Sequence, residues 1–573
     1  MSSAKTRIRS APRNGGKSQS AIANPQSAIG LVVAGLLVTV AVYIAHCIYF
    51  WAYVNDDAYI TFRYSRFLAM GRGPYFNIGE QVEGYTNFLL MLLVTPIIAL
   101  FGESNAAPFA KGLGIAGGAL AIGAIGALVW RIGRATADSP LRSGVAAILA
   151  AALVAVFPAY ALNSTSGLET MLLAGEISLG LLLGHLFMES GRWRGAGIAF
   201  ACAALTRPEG ILFFAIYWLA QLVAQRPALR SFRIPNSPFR IHLFDALIVT
   251  VVFAAHLVFR LIAYDGEWLP NTYYAKAGGF WKVAAASYIG HGALRPFFDI
   301  YGIGAGIGVV GWILSGATRR ASLPLFCIAA AGALLPFVTG TDWMLGWRLL
   351  MPFLPVIAGV VAIGWCRIAT LLVRHPRWLG PPLVLLAVPL LWYLRSDDRA
   401  FFHDHIAMRA RGYKTGHTAL AQWLRSGAAK KGDTVALMDI GIVGYLCVDQ
   451  TILDITGLTD RTIAKSTGEF MRKEYDTRYV LGRKPEFIVL VFGAPGNPDV
   501  PAPLGTRLKP WSTNDTRIWN DPDFRARYVR PRPVSPRAAY WTDNVAAQLG
   551  AERVFEHAHP GRYYLLAAFR RSD

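Results

Sequence analysis

Asn55-Asp56-Asp57-Ala58-Tyr59-Ile60-Thr61-Phe62-Arg63-Tyr64-Ser65-Arg66 follows directly on the apolar run Ile29–Phe50 and leads through Gly71-Arg72-Gly73 to Glu83-Gly84-Tyr85-Thr86-Asn87. A run of about 20 apolar residues suffices to cross a bilayer. Ile29–Phe50 exceeds the apolar core of a signal peptide and has no convincing cleavage site near its end, so it reads as a retained span. Residues 1–28 before it are polar and basic (Lys5, Arg7, Arg9, Arg13, Lys17), as expected of a disordered cytoplasmic tail. The stretch from Asn55 then emerges on the extracytoplasmic face. Asn55 suits an N-cap and Gly71 a helix end. At about 100° per residue, Asp56, Tyr59, Arg63 and Arg66 fall within an arc of about 80°. That stripe offers a carboxylate, a phenol and two guanidiniums. The set suits a sugar hydroxyl that must lose a proton beside a phosphate that must leave. It equally suits an N-capping acidic pair with ordinary intrahelical ion pairs, and the position just outside the first span favours chemistry.

The rest of the composition agrees with a membrane protein. Of 573 residues, 54% are hydrophobic and 16% charged, against about 45–50% and about 25% in soluble domains. The net charge of +21 is explained by basic cytoplasmic loops and calls for no nucleic acid. Five cysteines without a CxxC pair indicate neither a disulfide framework nor a zinc site. Apolar runs and loop charge predict about 11 spans over 29–395, with the first outer loop at 51–111. The second span is expected at Leu113–Trp130. Outward spans begin near Val145, Gly195, Ala246, Leu323 and Leu379, and inward ones near Leu168, Gly210, Tyr301 and Leu349. Phe88–Phe101 is short and reads as interfacial, because counting it as a span would put Arg131, Arg134 and Arg142 outside. Residues 396–573 read as a small soluble α/β domain, with a helix over His417–Ser426 and strands at Thr434–Met438, Ile452–Ile455 and Phe487–Val491.

Further polar segments map to the outer face. Glu169 in Thr165-Ser166-Gly167-Leu168-Glu169-Thr170 lies at the mouth of a span, where a charge needs a partner or a function. Arg207 and Glu209 flank Pro208 at a break between two short apolar runs; broken backbone at membrane depth lines a cavity or is buried in protein. Asn271, Tyr274 and Lys276 fall in one aromatic loop, and Asp342, Trp343 and Arg348 in another. Arg207, Lys276 and Arg348 are natural phosphate partners. Tyr59, Arg63, Arg66, Glu83, Tyr85, Asn87, Glu169, Glu209, Asn271, Tyr274, Asp342 and Trp343 are candidate substrate ligands. His403-Asp404-His405 is metal-capable but sits at a membrane-to-domain junction. No Walker A sequence, GxSxG elbow or dinucleotide fingerprint occurs.

The block NDDAYITFRYSRFLAMGRGPYFNIGEQVEGYTNFLL resembles the first outer loop of GT-C-fold, polyprenyl-phosphosugar-dependent glycosyltransferases, most closely the mycobacterial terminal β-(1→2)-arabinofuranosyltransferase family. TSGLET, LTRPEG, LPNTYYAK and GTDWMLGWR resemble recurring blocks of that superfamily. DIGIVGYL followed by DITGLTDR resembles the opening of its C-terminal domain. The resemblance implies a polytopic α-helical membrane enzyme with an extracytoplasmic C-terminal domain in a bacterial inner membrane. It would move a sugar, arabinofuranose foremost, from a polyprenyl-phosphate donor to a glycan or glycoconjugate acceptor with inversion. Its motifs favour Asp56 as base, with Asp57 supporting the acceptor or an optional divalent cation; no cofactor is required, and the sequence does not separate the two aspartates. A related transferase acting on protein, lipid A or O-antigen, a lipid-sugar flippase, and a glycan-binding scaffold are the competing readings.

Overall fold

The computed structural model describes residues 25–136, 139–225, 238–276, 294–339, 344–372, 396–497, 499–500, 506–535 and 540–572. The expected tail before Pro25, the span near Leu379, and Asp342 and Trp343 lie outside them. Five described helices are long and apolar enough to cross a membrane: Ile29–Tyr49, Glu103–Ala135, Thr170–Ser190, Arg240–Ala263 and Met351–Leu372. Pro140–Ala155 and Pro158–Ser164, bent by 67° at Pro158, make a sixth if taken as one. Shorter apolar helices at Ala196–Thr206, Gly210–Ala224, Gly304–Ile313 and Leu323–Pro336 fall where four further spans are expected. By length and composition, then, the described residues hold five or six crossings against the 11 expected. Phe88–Phe101 is a 14-residue helix with the bounds read from sequence, too short to span.

Small residues let the bundle close. A Cβ on Gly117 would stand 2.4 Å from the Met171 carbonyl oxygen. The helices Ala106–Ala135 and Thr170–Ser190 therefore meet backbone to backbone, as small-residue membrane interfaces do. This contact holds the Glu169 end of the second helix in place.

The C-terminal unit is built on a mixed sheet of order β2-β1-β3-β6-β5. Its strands are β1 Thr434–Leu437, β2 Thr451–Asp454, β3 Phe487–Pro495, β4 Lys509–Pro510, β5 Arg553–His559 and β6 Arg562–Arg570. β1 runs parallel to β2 and β3, whereas β6 is antiparallel to β3 and β5, and β4 pairs with the far end of β3. The exposed edge of β2 is covered by the first loop. Asn77 accepts from the Ile452 N–H (3.0 Å) and donates to the Ile452 carbonyl (2.8 Å), pairing with the strand as a neighbour would.

One helix, Asp56–Ala69, joins the two units. Asn55 Oδ1 caps it by accepting the Asp57 N–H (3.1 Å), and Gly71 ends it at φ +70°. Its stripe of Asp56, Tyr59, Arg63 and Arg66 faces the short helix Ile440–Leu446. Asp56 Oδ2 and Oδ1 accept from the N–H groups of Gly441 (3.0 Å) and Ile442 (2.8 Å). Those are the second and third residues of the short helix, whose N–H groups an N-cap side chain normally takes. At the other end Arg63 donates to the carbonyls of Gly444, Cys447 (3.0 Å), Gln450 (3.1 Å) and Phe76 (2.6 Å). Arg66 donates to the Tyr445 carbonyl (2.8 Å) and pairs with Glu103, while the Tyr59 ring packs on Tyr445. An anion at one end and cations at the other complement the dipole of the short helix.

The expected substrate role of Arg63 is thus replaced by a fastening role, while Tyr59 and Arg66 are half-buried against the same short helix. Arg63 is only 1% exposed and meets carbonyl oxygens, which want the same donors as a phosphate. Arg63→Ala leaves several buried carbonyls unpaired and should destabilise the protein by roughly 3 kcal/mol or more. Thermal unfolding of the purified protein in detergent checks this, together with faster proteolysis between 396 and 430; unchanged unfolding and proteolysis would contradict the fastening.

Candidate active site

The TSGLET segment packs against the first-loop helix. The Asn55 N–H donates to the Ser166 carbonyl (2.9 Å). Gly167, at φ +78°, would bring a Cβ to 3.3 Å from the Ala58 methyl. Asn163 Nδ2 donates to the Gly346 carbonyl (2.7 Å), which draws the Arg348 loop to the same place.

The break at LTRPEG comes from Pro208, which pushes the preceding residue out of the helical region. Arg207 accordingly ends the helix Ala196–Thr206 in an extended conformation, φ −152° and ψ 141°. Gly210 is required for the tight return, since a Cβ there would stand 2.3 Å from the Ala203 carbonyl oxygen. The break leaves the Arg207 guanidinium between two carboxylates, Glu169 (Nη1 to Oε1, 2.6 Å) and Glu209 (Nε to Oε1, 2.5 Å).

A polar chain connects this arginine to the first-loop helix. Thr61 Oγ1 donates to Asn87 Oδ1 (2.9 Å), and Asn87 Nδ2 donates to Glu169 Oε2 (2.8 Å). Asp57 lies one turn before Thr61 on the same side of the helix and is half-buried. Against its burial, the charges of Arg207 and Arg348 hold Glu169 below the usual carboxylate range. Arg207, Glu209 and Arg348 line one crevice whose walls include Leu173, Leu335 and Phe353. The arrangement places two guanidiniums beside an apolar wall formed by bundle helices.

The C-terminal unit adds groups that the sequence reading missed. Asp439 occupies the N-cap position of Ile440–Leu446 but makes no capping hydrogen bond. Its Oδ2 lies 3.0 Å from His417 Nε2 and accepts from Tyr564 OH (2.6 Å). Burial pushes Asp56 up to about 6; the charge of His417 opposes this, and Asp439 and Asp57 add to it. Despite its own burial, the hydrogen bond from His417 holds Asp439 below the usual range. The available sequence signal was DIGIVGYL, which was read only as the start of a domain.

Several expected ligands are not at this site. Glu83 is buried and paired with Arg260 (2.6 Å), and Tyr85 OH meets Tyr264 OH (3.0 Å). Asn271 Nδ2 donates to the carbonyls of Gly457 (2.8 Å) and Leu458 (3.0 Å), in a turn organised by the Asp454 carboxylate. Glu83 and Tyr85 thus tie the first loop to the end of the helix Arg240–Ala263, and Asn271 ties its own loop to the C-terminal unit. The Tyr274 ring lies against Lys465 (4.9 Å), and Lys276 stands over Phe470 (5.7 Å), away from the Arg207 crevice. Each Asp56 oxygen accepts one N–H group, which leaves a second lone pair on each. Among the described residues no three His, Cys, Asp or Glu side chains gather to hold a metal, His403-Asp404-His405 included.

Over 382 residues the chain is 25% identical to the terminal beta-(1->2)-arabinofuranosyltransferase of Corynebacterium glutamicum, a match covering 59% of this chain and 53% of that protein. The chain spans about half the length of that curated relative. A family described as a domain of unknown function (DUF8728) matches residues 404–543. ArnT from Cupriavidus metallidurans, solved bound to undecaprenyl phosphate, superposes with a TM-score of 0.50 at 16% identity, covering 74% of this chain and 86% of that one. The oligosaccharyltransferase of Archaeoglobus fulgidus, solved with a tethered acceptor peptide, gives 0.50 at 12% identity, covering 95% and 88%. At those identities the likeness shows that the chain shares the fold of these two proteins.

Removing the central guanidinium leaves Glu169 and Glu209 facing each other without their cation. Breaking a buried ion pair costs about 3–5 kcal/mol, and Arg207→Leu should destabilise by that order. Adding Glu169→Gln to it should recover part of the loss, read as the midpoint of thermal unfolding; full additivity of the two losses would contradict the pairing.

Proposed function

We propose that this chain is an inverting glycosyltransferase that moves arabinofuranose from a polyprenyl-phosphate donor to the hydroxyl of a glycan acceptor. The observation that carries this is the crevice in which Arg207 and Arg348 stand beside apolar helix walls, joined through Glu169 and Asn87 to the helix bearing Asp56 and Asp57. The donor's phosphate meets the two guanidiniums and its lipid lies among the helices. The likeness to ArnT, solved with a polyprenyl phosphate, supports the donor class. The match to a terminal arabinofuranosyltransferase supports the sugar. The site and the C-terminal unit are assigned to the extracytoplasmic side of a bacterial inner membrane, on the charge of the N-terminal tail and short loops.

Asp56 is the base. The acceptor oxygen attacks the anomeric carbon as its proton passes to Asp56. The bond from that carbon to the phosphate oxygen breaks, its electron pair leaves with the polyprenyl phosphate, and the configuration inverts. Arg207 and Arg348 stabilise the departing charge. Asp57, on the adjoining face near Thr61, supports the acceptor. The energy of the reaction resides in the donor linkage, so nucleotide hydrolysis has no part in it.

Asp56→Asn should lower kcat by about 10²–10⁴-fold, the usual contribution of a general base, with decaprenyl-phospho-arabinofuranose and a synthetic alkyl arabinofuranoside. Asp57→Asn should lose less, and wild-type activity in Asp56→Asn would exclude the assignment. Arg348→Ala should raise the donor KM about ten- to a hundredfold, the loss of a charge-assisted contact. A base must be ionised, so the rate should rise with pH through about 6 and level off above it. Assaying a panel of polyprenyl phosphosugars tests the sugar; transfer of mannose but not arabinofuranose would overturn that part alone.

A further inference from the structure

Asp439 stands where an N-cap residue stands and does not cap. The two N–H groups it would take are held by Asp56, from the other unit. Its carboxylate is turned instead toward His417 and Tyr564, which both bind Oδ2. No hydrogen bond to Oδ1 is made among the described residues, and the side chain is 25% exposed. His417 is itself fixed: its Nδ1 lies 3.3 Å from His557 Nδ1, and the Tyr413 ring packs on both imidazoles. A cluster that served only to join β6 to the 413–418 segment would bury both oxygens. Here one oxygen is anchored by buried partners and the other is left open.

We propose that Asp439 binds the acceptor sugar, accepting a hydrogen bond from the hydroxyl next to the one that reacts, with His417 as its positioning residue. This rests on the glycosyl-transfer reading. Asp439 lies two residues before Gly441, whose N–H holds Asp56, so the two carboxylates stand side by side at the junction of the units. Their environments differ in the useful sense: Asp56 is pushed up and Asp439 held down. Of two such carboxylates, the first suits taking a proton and the second suits remaining an acceptor. A furanose offers neighbouring hydroxyls to be divided between them.

The test uses the full-length enzyme with decaprenyl-phospho-arabinofuranose and two synthetic acceptors, an alkyl arabinofuranoside and its 3-deoxy analogue. Asp439→Asn should raise the acceptor KM at least tenfold while kcat falls much less. Wild type should lose a similar factor with the deoxy acceptor, and Asp439→Asn should lose little more with it. The groups facing Asp56 are Asp57 and Tyr59 on its own helix, with His417, Tyr413 and Asp439 opposite. Because Asp439 keeps the buried His417 charged, Asp439→Asn removes an anion and a cation together, and the acid limb of the rate profile should move little. Removing the cation in His417→Gln should move it up. If Asp439→Asn is not recovered folded, Tyr564→Phe and Asp439→Glu take its place; unchanged acceptor KM in both overturns the proposal. An inactive Asp56→Asn beside an Asp439→Asn with wild-type acceptor KM overturns it as well. An active Asp56→Asn instead sinks the underlying reading.

Discussion

The Asp56 carboxylate capping a helix that belongs to the other unit is the contact on which the arrangement turns. As a stabilising term it is modest, since an N-cap contributes about 0.5–2 kcal/mol. Its consequence is geometric. Two N–H groups from consecutive residues, Gly441 and Ile442, fix both the plane and the position of one carboxylate. Gly441 has no alternative side chain, because a Cβ would stand 2.6 Å from Asp56 Oδ2. Arg63 closes the other end of the same short helix, so the C-terminal unit is held in rotation as well as in position. Burial and hydrogen bonding act on Asp56 in opposite directions, and burial prevails.

The parts of the fold legible in the sequence are those with a period or a length. Phe88–Phe101 was bounded correctly because charge and glycine delimit its apolar run on both sides. β1, β2 and β3 were found because short β-branched runs stand out between polar turns. The β5–β6 hairpin was not, and the burial of β6 explains it. Seven consecutive residues of β6 are buried between β3 and β5. A central strand shows no alternation, and Leu565-Leu566-Ala567-Ala568 reads as readily as helix.

In the site, helical geometry placed Asp56, Tyr59, Arg63 and Arg66 on one face correctly and left open what that face meets. A guanidinium serves a phosphate or the carbonyl end of a helix equally well, and only the packed chain shows that Arg63 finds carbonyls. Glu169 stands out in the sequence as a span-mouth charge that needs a partner, and Arg207 and Glu209 as charges at a proline break, but only the packed chain joins the two segments. His417 and Asp439 carried no such signal. They lie 22 positions apart in a polar region where neither burial nor pairing follows from spacing.

Asn87 and Asp439 share a trait that a contact-by-contact reading hides. Each is a good capping residue at the start of a helix, and neither caps it. Asn87 turns to Thr61 and Glu169, and Asp439 to His417 and Tyr564. Side chains withheld from an available local bond are committed elsewhere, and both commitments flank the first-loop helix. Neighbouring residues on a helix point about 100° apart, so Asp56 and Asp57 cannot serve one group as a twin. Asp56 belongs to the C-terminal side, with Asp439, and Asp57 to the bundle side, with the Asn87 chain and the arginine crevice. On the proposed reading the acceptor comes from the Asp439 side and the donor from the arginine crevice, and they meet at the tip of the helix, where Asp57 supports the acceptor as it reaches the donor.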